Sequence, residues 1–153
     1  QDVHHEIEWV LRVGKVGKYI EPRFAYGYFD AMTVGLDFTA RDLQTQLKNK
    51  GLPWERAKGF DGSAVLGTWG PMPAKPMDHQ IRLEKNGETV QSGNTRDFLT
   101  PLEDLVAFIS TYFTLKKGDL IFTGTPAGVG PVKPGDALEG FLNDDSRLRL
   151  NIR

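Results

Sequence analysis

The sequence predicts an α+β fold in which a mixed, curled β-sheet of many short strands is accompanied by few helices. Three observations carry that expectation. Strand-like segments outnumber helical ones and do not alternate regularly with them, which argues against a doubly wound arrangement. Asn86-Gly87 lies between two alternating segments and is the strongest short-range hairpin signal, because both central residues of a type I′ turn need positive φ. Only two segments, opening at Thr39 and Thr100, combine capping residues with helical apolar spacing.

From Val3 to Val13 the odd positions are Val3, His5, Ile7, Trp9, Leu11 and Val13, and the even positions are His4, Glu6, Glu8, Val10 and Arg12. Period two reads as one strand that buries Ile7, Trp9 and Leu11 and points Glu6 and Glu8 together out of its other side. A second apolar segment, Met32 to Phe38, runs into Thr39-Ala40-Arg41-Asp42, which has the form of a capping box and opens a helix to about Lys50. On it Leu43 and Leu47 face the core, Arg41, Gln44 and Lys48 fall on a polar face, and Gly51 terminates it. The glycine- and proline-rich residues 59–78 show no sustained periodicity and read as a long loop. Ile81 to Gln91 forms the hairpin around Asn86-Gly87. Thr100-Pro101-Leu102-Glu103 opens a second helix with the stripe Leu102, Leu105, Val106, Ile109 and Phe113, ended by Lys117-Gly118. Leu120 to Thr123, Ala137 to Leu142 and Leu148 to Ile152 complete the strands.

A chain of 153 residues with 39% hydrophobic content suffices for one substantial core and is read as a single domain, residues 1–153. Its net charge of −1 and scattered lysines and arginines offer no footprint for nucleic acid. The chain has no cysteine, which excludes thiol catalysis and thiolate zinc sites and suits a cytoplasmic location. No apolar run approaches the roughly 18 residues of a membrane span, so no membrane partner is expected.

Two glutamates on one side of a strand are costly to bury without a cation or hydrogen-bond donors. Two readings stay open for the Glu6-Ile7-Glu8 pattern: a solvated strand face, or a site for a hard divalent ion with Asp37 as third oxygen ligand. His4 and His5 are adjacent and point to opposite faces, and neither H-x-H nor HExxH occurs, so a histidine-based site fits less well. The segment Gly124-Thr125-Pro126-Ala127-Gly128-Val129-Gly130 follows an apolar strand, and its amides with the hydroxyls of Thr123 and Thr125 could receive a carboxylate; a plain turn is the ordinary reading. It is neither a dinucleotide fingerprint nor a P-loop. Lys58, near the loop start, reads by itself as a surface lysine.

Three segments in order, His4-His5-Glu6-Ile7-Glu8, Gly35-Leu36-Asp37-Phe38-Thr39-Ala40-Arg41-Asp42-Leu43-Gln44 and residues 118–130 with Thr123-Gly124-Thr125-Pro126, together resemble the fumarylacetoacetate hydrolase family. Asn86-Gly87-Glu88, Gln91 and Asn94-Thr95 extend the resemblance over almost the whole chain. It implies the curled β-roll of that family's C-terminal domain. It also implies Mg²⁺ or Mn²⁺ held by Glu6, Glu8 and Asp37, with Arg41, Gln44, Lys58 and Thr123 or Thr125 receiving the substrate.

The activity implied is that of a metal-dependent enzyme acting on small 2-oxo acids through a metal-stabilised enolate. Hydrolytic C–C cleavage of acylpyruvates, oxaloacetate decarboxylation and isomerisation of a 2-hydroxy-diene-dioate all suit that chemistry. The resemblance also implies a homodimer, an expectation joined by the apolar Phe60, Trp69 and Met72 in the long loop. Hydrolytic members are similar to one another in a histidine and glutamate pair on a lid upstream of the Glu6-Glu8 strand. His4, His5 and His79 do not match it, so the catalytic base is unassigned, and an N-terminal lid preceding Gln1 is expected in the whole protein. The alternative is a non-catalytic binding protein for 2-oxo acids. A cupin-like barrel is disfavoured by the missing H-x-H and the two helices.

Overall fold

The computed structural model describes residues 2–153. The chain begins with β1 (Val3–His5), β2 (Ile7–Val13), a 3₁₀ turn at Pro22–Tyr28, β3 (Phe29–Asp37), β4 (Thr39–Ala40), α1 (Arg41–Asn49) and the one-turn α2 (Glu55–Lys58). It continues through β5 (Ala64–Leu66), β6 (Gly70–Pro71), β7 (Gln80–Lys85), β8 (Glu88–Asn94), a 3₁₀ turn at Thr95–Asp97 and α3 (Leu102–Tyr112). The end of the chain forms β9 (Leu120–Phe122), β10 (Gly130–Pro131), β11 (Ala137–Leu142) and β12 (Asp145–Asn151).

The fold is mostly β, curled, with few helices, as the α+β reading expected. Strand order is β5-β3-β2-β9 in one sheet, with β6 also on β3, then β12-β11-β7-β8 in a second and β10-β1-β4 in a third. One part of the expectation is corrected: the sheet is not mixed, because the strand pairings among the described residues are antiparallel. Parallel neighbours need long, usually helical crossovers, and here α1 packs on β1, β4 and α2 while α3 packs on the first 3₁₀ turn.

The core lies between the first two sheets. Ile7, Leu11, Val34 and Leu36 from β2 and β3 join Leu83, Leu138, Leu142 and Leu148 in one buried cluster. The sheets approach closely at Gly140, where an added Cβ would sit 3.1 Å from Ile7 Cδ1 and 3.2 Å from Val34 Cγ2. A satellite cluster of Ala40, Leu47 and Ala57 holds α1 and α2.

Several boundaries differ from the sequence reading. The expected strand 3–13 is two strands, divided at Glu6: β1 pairs with β4 and β10, whereas β2 pairs with β3 and β9. Thr39 does not cap α1; it lies in β4 with its hydroxyl toward the Asp37 carbonyl, 3.3 Å away, and Ala40 takes the cap position. The long loop contains β5 and β6, which use the edge of β3 and are too short to show a period. At the second helix Pro101 is the cap, with no side-chain hydrogen bond from Thr100. That helix ends at Tyr112, where Phe113 turns extended and Lys18 Nζ donates to the carbonyls of Thr111 and Tyr112 at 3.2 and 3.0 Å. Phe113 is therefore exposed instead of completing the stripe. The last strand starts at Asp145, after a second two-residue turn in which Asn143 and Asp144 both have positive φ.

The Asn86-Gly87 hairpin forms as expected, with φ of 54° and 84° and Lys85 paired to Glu88. No heavy atom lies within 4 Å of a Cβ added at Gly87, so Gly87→Ala tests backbone strain alone. It is expected to lower stability by about 1 kcal/mol, measured by denaturant melts at unchanged m-value. A neutral result would contradict the type I′ assignment.

Candidate metal centre

Strand register brings the acidic residues together. The break at Glu6 leaves its carbonyl accepting the Asp37 amide at 2.9 Å, next to the Ile7–Leu36 pair, so Glu6 and Asp37 are cross-strand neighbours. Glu8, two residues along, returns to the same side. One carboxylate oxygen from each of Glu6, Glu8 and Asp37 lies within 4.8 Å of the others. Glu6 and Glu8 are only 7% and 5% exposed, so the solvated-face reading of this pattern does not apply.

Positive groups meet this cluster from the α1–α2 side. Lys58 Nζ donates to Glu6 Oε2 at 2.8 Å and to Asp37 Oδ2 at 2.7 Å, so it is not the surface lysine its sequence position suggested. Arg41 donates to Glu6 Oε1 through one guanidinium nitrogen and to Gln44 Oε1, at 2.6 Å, through another. The three-residue spacing of Arg41 and Gln44 thus serves to orient the guanidinium. Burial by itself would raise the Glu6 carboxyl, but hydrogen bonds from Lys58 and Arg41 outweigh it and leave its pKa below the usual range. Burial would likewise lower Lys58, and its bonds to Asp37 and Glu6 raise it instead.

Among the described residues no cation pairs with Glu8. Burial pushes its carboxyl up to about 7; the Gly124 amide, donating to Oε2 at 2.7 Å, opposes the rise, and the Asp37 charge adds to it. The turn after β9 therefore does receive a carboxylate on its backbone, and that carboxylate belongs to the chain itself. A hard cation would complete the neutralisation, since three carboxylates on adjacent strands are the donor set of Mg²⁺ or Mn²⁺ and lack the nitrogen and sulfur atoms of zinc sites.

The threonines divide. Thr123 donates its hydroxyl to the Trp9 carbonyl at 2.8 Å, whereas Thr125 accepts from Gln91 Nε2 at 2.8 Å. None of the histidines meets the carboxylates: His4 Nε2 faces Asp2 at 3.1 Å, His5 Nδ1 faces Gln91 at 2.8 Å and His79 Nδ1 faces Asn143 at 2.9 Å. Gln91 entered the sequence reading only as part of the family resemblance, without a role, and the Gly124–Glu8 bond escaped it; beside Val90 and Ser92 in a hairpin strand, nothing local marked Gln91 as buried. Phe60 and Met72 pack on this chain's core, and Arg12 lies over the Trp69 ring at 5.4 Å, so the loop residues cited for self-association have partners within the chain. A cleft of about 470 Å³ lined by Ile81, Phe98, Leu105 and Thr123 to Ala127 adjoins the same turn but includes none of the carboxylates.

Fold and cluster together define the class: a curled β-roll domain with a buried acidic, cation-type site. The chain belongs to the fumarylacetoacetate hydrolase family, whose C-terminal domain, described as fumarylacetoacetate (FAA) hydrolase C-terminal, matches residues 1–153. Among its relatives is the mitochondrial oxaloacetate tautomerase of Mus musculus, 37% identical over 155 residues, covering 100% of this chain and 70% of that protein. The mitochondrial oxaloacetate decarboxylase of Dictyostelium discoideum is 37% identical over 154 residues, covering 99% of this chain and 71% of its own length. Fumarylpyruvate hydrolase from Pseudomonas aeruginosa, solved in complex with Mn²⁺ and pyruvate, superposes with a TM-score of 0.93 at 36% identity, covering 99% of this chain and 66% of that one.

Two outcomes follow for the metal-free protein. Because the Glu8 carboxyl is raised in the fold, its contribution to stability is fully present below the ordinary value of 4.5 and is lost as pH rises toward about 7. Glu8→Gln is expected to remove that dependence and to raise metal-free stability at pH 8 by on the order of 1–3 kcal/mol. Mn²⁺ should raise the wild-type melting temperature more at pH 8 than at pH 6, and Asp37→Ala should abolish the rise. Equal Mn²⁺ shifts at both pH values would contradict a Glu8 carboxyl raised by burial.

Proposed function

We propose that this domain is the metal-binding core of an enzyme acting on small 2-oxo acids, with Glu6, Glu8 and Asp37 as ligands to Mg²⁺ or Mn²⁺. The observation that carries the reading is the three-carboxylate cluster with Lys58 and Arg41 already turned toward it. A bound divalent ion supplies Lewis acidity to the oxo and carboxylate oxygens of such a substrate. The remaining roles fall to the chain. Arg41, oriented by Gln44, and Lys58 receive the substrate carboxylate, since each carries hydrogen-bond donors in addition to those engaged with Glu6 and Asp37. Thr125, whose oxygen is held from behind, donates to a substrate oxygen, while Thr123 keeps the turn on β2. The family membership and the names of the relatives support C–C cleavage, decarboxylation or tautomerisation beside a 2-oxo group.

The general base is placed outside the three histidines, each of which faces another partner. Homodimerisation is part of the proposal; Phe108 and Tyr112 on α3, 63% and 68% exposed, support it better than the long loop does. Its check is the mass in solution, and a monomer at micromolar concentration counts against it.

Turnover of oxaloacetate and of an acylpyruvate by the Mn²⁺-loaded protein is the direct test. Lys58→Ala and Arg41→Ala are each expected to lower kcat/KM by about a hundredfold or more, as loss of a buried charge-assisted contact does. Binding of a 2-oxo acid without turnover would select the non-catalytic alternative, and failure to bind Mn²⁺ would overturn both.

A further inference from the structure

Gln91, on β8, is 1% exposed, and its amide is fully used across three segments. Its Oε1 accepts the Ile7 amide at 3.1 Å and lies 2.8 Å from His5 Nδ1. Its Nε2 donates to Thr125 Oγ1 at 2.8 Å and to the Pro126 carbonyl at 3.0 Å. The turn is pressed onto this strand, since a Cβ at Gly128 would collide with the Val90 carbonyl oxygen.

Two of these partners have no choice of role. The Ile7 N–H can only donate and the Pro126 carbonyl can only accept, so the amide has one orientation. His5 must then carry its proton on Nδ1. Thr125 must accept from Gln91, which leaves the Thr125 O–H to donate elsewhere, and no acceptor among the described residues takes it. His5 and Ile7 are the two residues that flank Glu6, so a single side chain ties the imidazole before that carboxylate and the backbone amide after it to the Thr125 hydroxyl on the turn.

We propose that Gln91 is a positioning residue of this site: it clamps the segment bearing Glu6 to the Gly124–Pro126 turn and fixes the Thr125 hydroxyl as a donor toward an anionic oxygen of the bound 2-oxo acid. This rests on the proposed function above. A glutamine that merely fills the core would affect folding alone; a positioning glutamine also sets the direction of the Thr125 hydrogen bond. Gln91→Glu keeps an acceptor for Ile7 and His5 but turns the group facing Thr125 into an acceptor, which draws the hydroxyl proton away from the ligand.

The probes are Mn²⁺ and then oxalate, titrated calorimetrically into the full chain. For Gln91→Glu and Gln91→Met the oxalate affinity is expected to fall about tenfold or more, while Mn²⁺ affinity in Gln91→Glu changes less than about threefold. Thr125→Val by itself should cost a similar factor and should add nothing in the Gln91→Glu background. Wild-type oxalate affinity in both Gln91 variants, or a full additional loss in the double variant, overturns the proposal. Should neither variant fold, the wild-type protein decides by NMR: slow solvent exchange of the Gln91 side-chain NH₂ and a shift on oxalate binding support it, and fast exchange or no shift overturns it. If the wild-type chain does not bind Mn²⁺ or oxalate at all, the proposed function fails first and this inference with it; binding by wild type with unaffected variants overturns this inference alone.

Discussion

The mutual repulsion of three carboxylates within 4.8 Å is the constraint around which this end of the molecule is arranged. Like charges that close, with Glu6 and Glu8 almost out of water, need positive charge or donors from every direction that is not solvent. The chain supplies them from three separate elements: a guanidinium at the first residue of α1, an ammonium at the last residue of α2 and a backbone amide from the turn after β9. The supply is uneven. Glu6 has two cations, whereas Glu8 has one amide, and the opposite directions of their pKa shifts follow from that difference.

The carboxylates were legible in the sequence because a strand has a period of two, and Glu6 and Glu8 must share a side whatever the rest of the fold does. Asp37 could be weighed as a third ligand from its place at the end of an apolar segment, but its position opposite Glu6 is a matter of register, which alternation alone leaves free and which the family resemblance supplied. Lys58 shows the limit more sharply. Nothing in its neighbours distinguishes it from a solvated lysine, and its role arises from a one-turn helix that folds it back over β3 across a separation of 21 residues from Asp37.

Where the reading failed, a local signal yielded to strand pairing. Thr39 and Thr100 precede helices and have the right chemistry for caps, yet Thr39 is paired across from His4 in β4 and its hydroxyl is turned toward Asp37. The apparent single strand 3–13 divides because its two halves find different partners, not because any residue breaks it. The hairpin at Asn86-Gly87 was readable for the opposite reason: positive φ at both positions is a local requirement that no distant contact has to supply.

The two sides of the site are anchored unequally. Glu6, Glu8 and the turn at Gly124 stand on strands that share the large core cluster, and the turn is tied to it at Trp9, Glu8 and Gln91. Arg41 and Lys58 ride on α1 and α2, whose buried residues Leu47 and Ala57 join only Ala40 of β4 in the small satellite cluster. Elements with less buried apolar contact open at lower free energy. The carboxylates therefore form the fixed wall, and the cations are the part best able to redistribute their hydrogen bonds when another charge enters. That division suits the proposed function, in which one ion is held in place while an anionic ligand comes and goes: the groups that exchange partners are those whose movement disturbs the roll least.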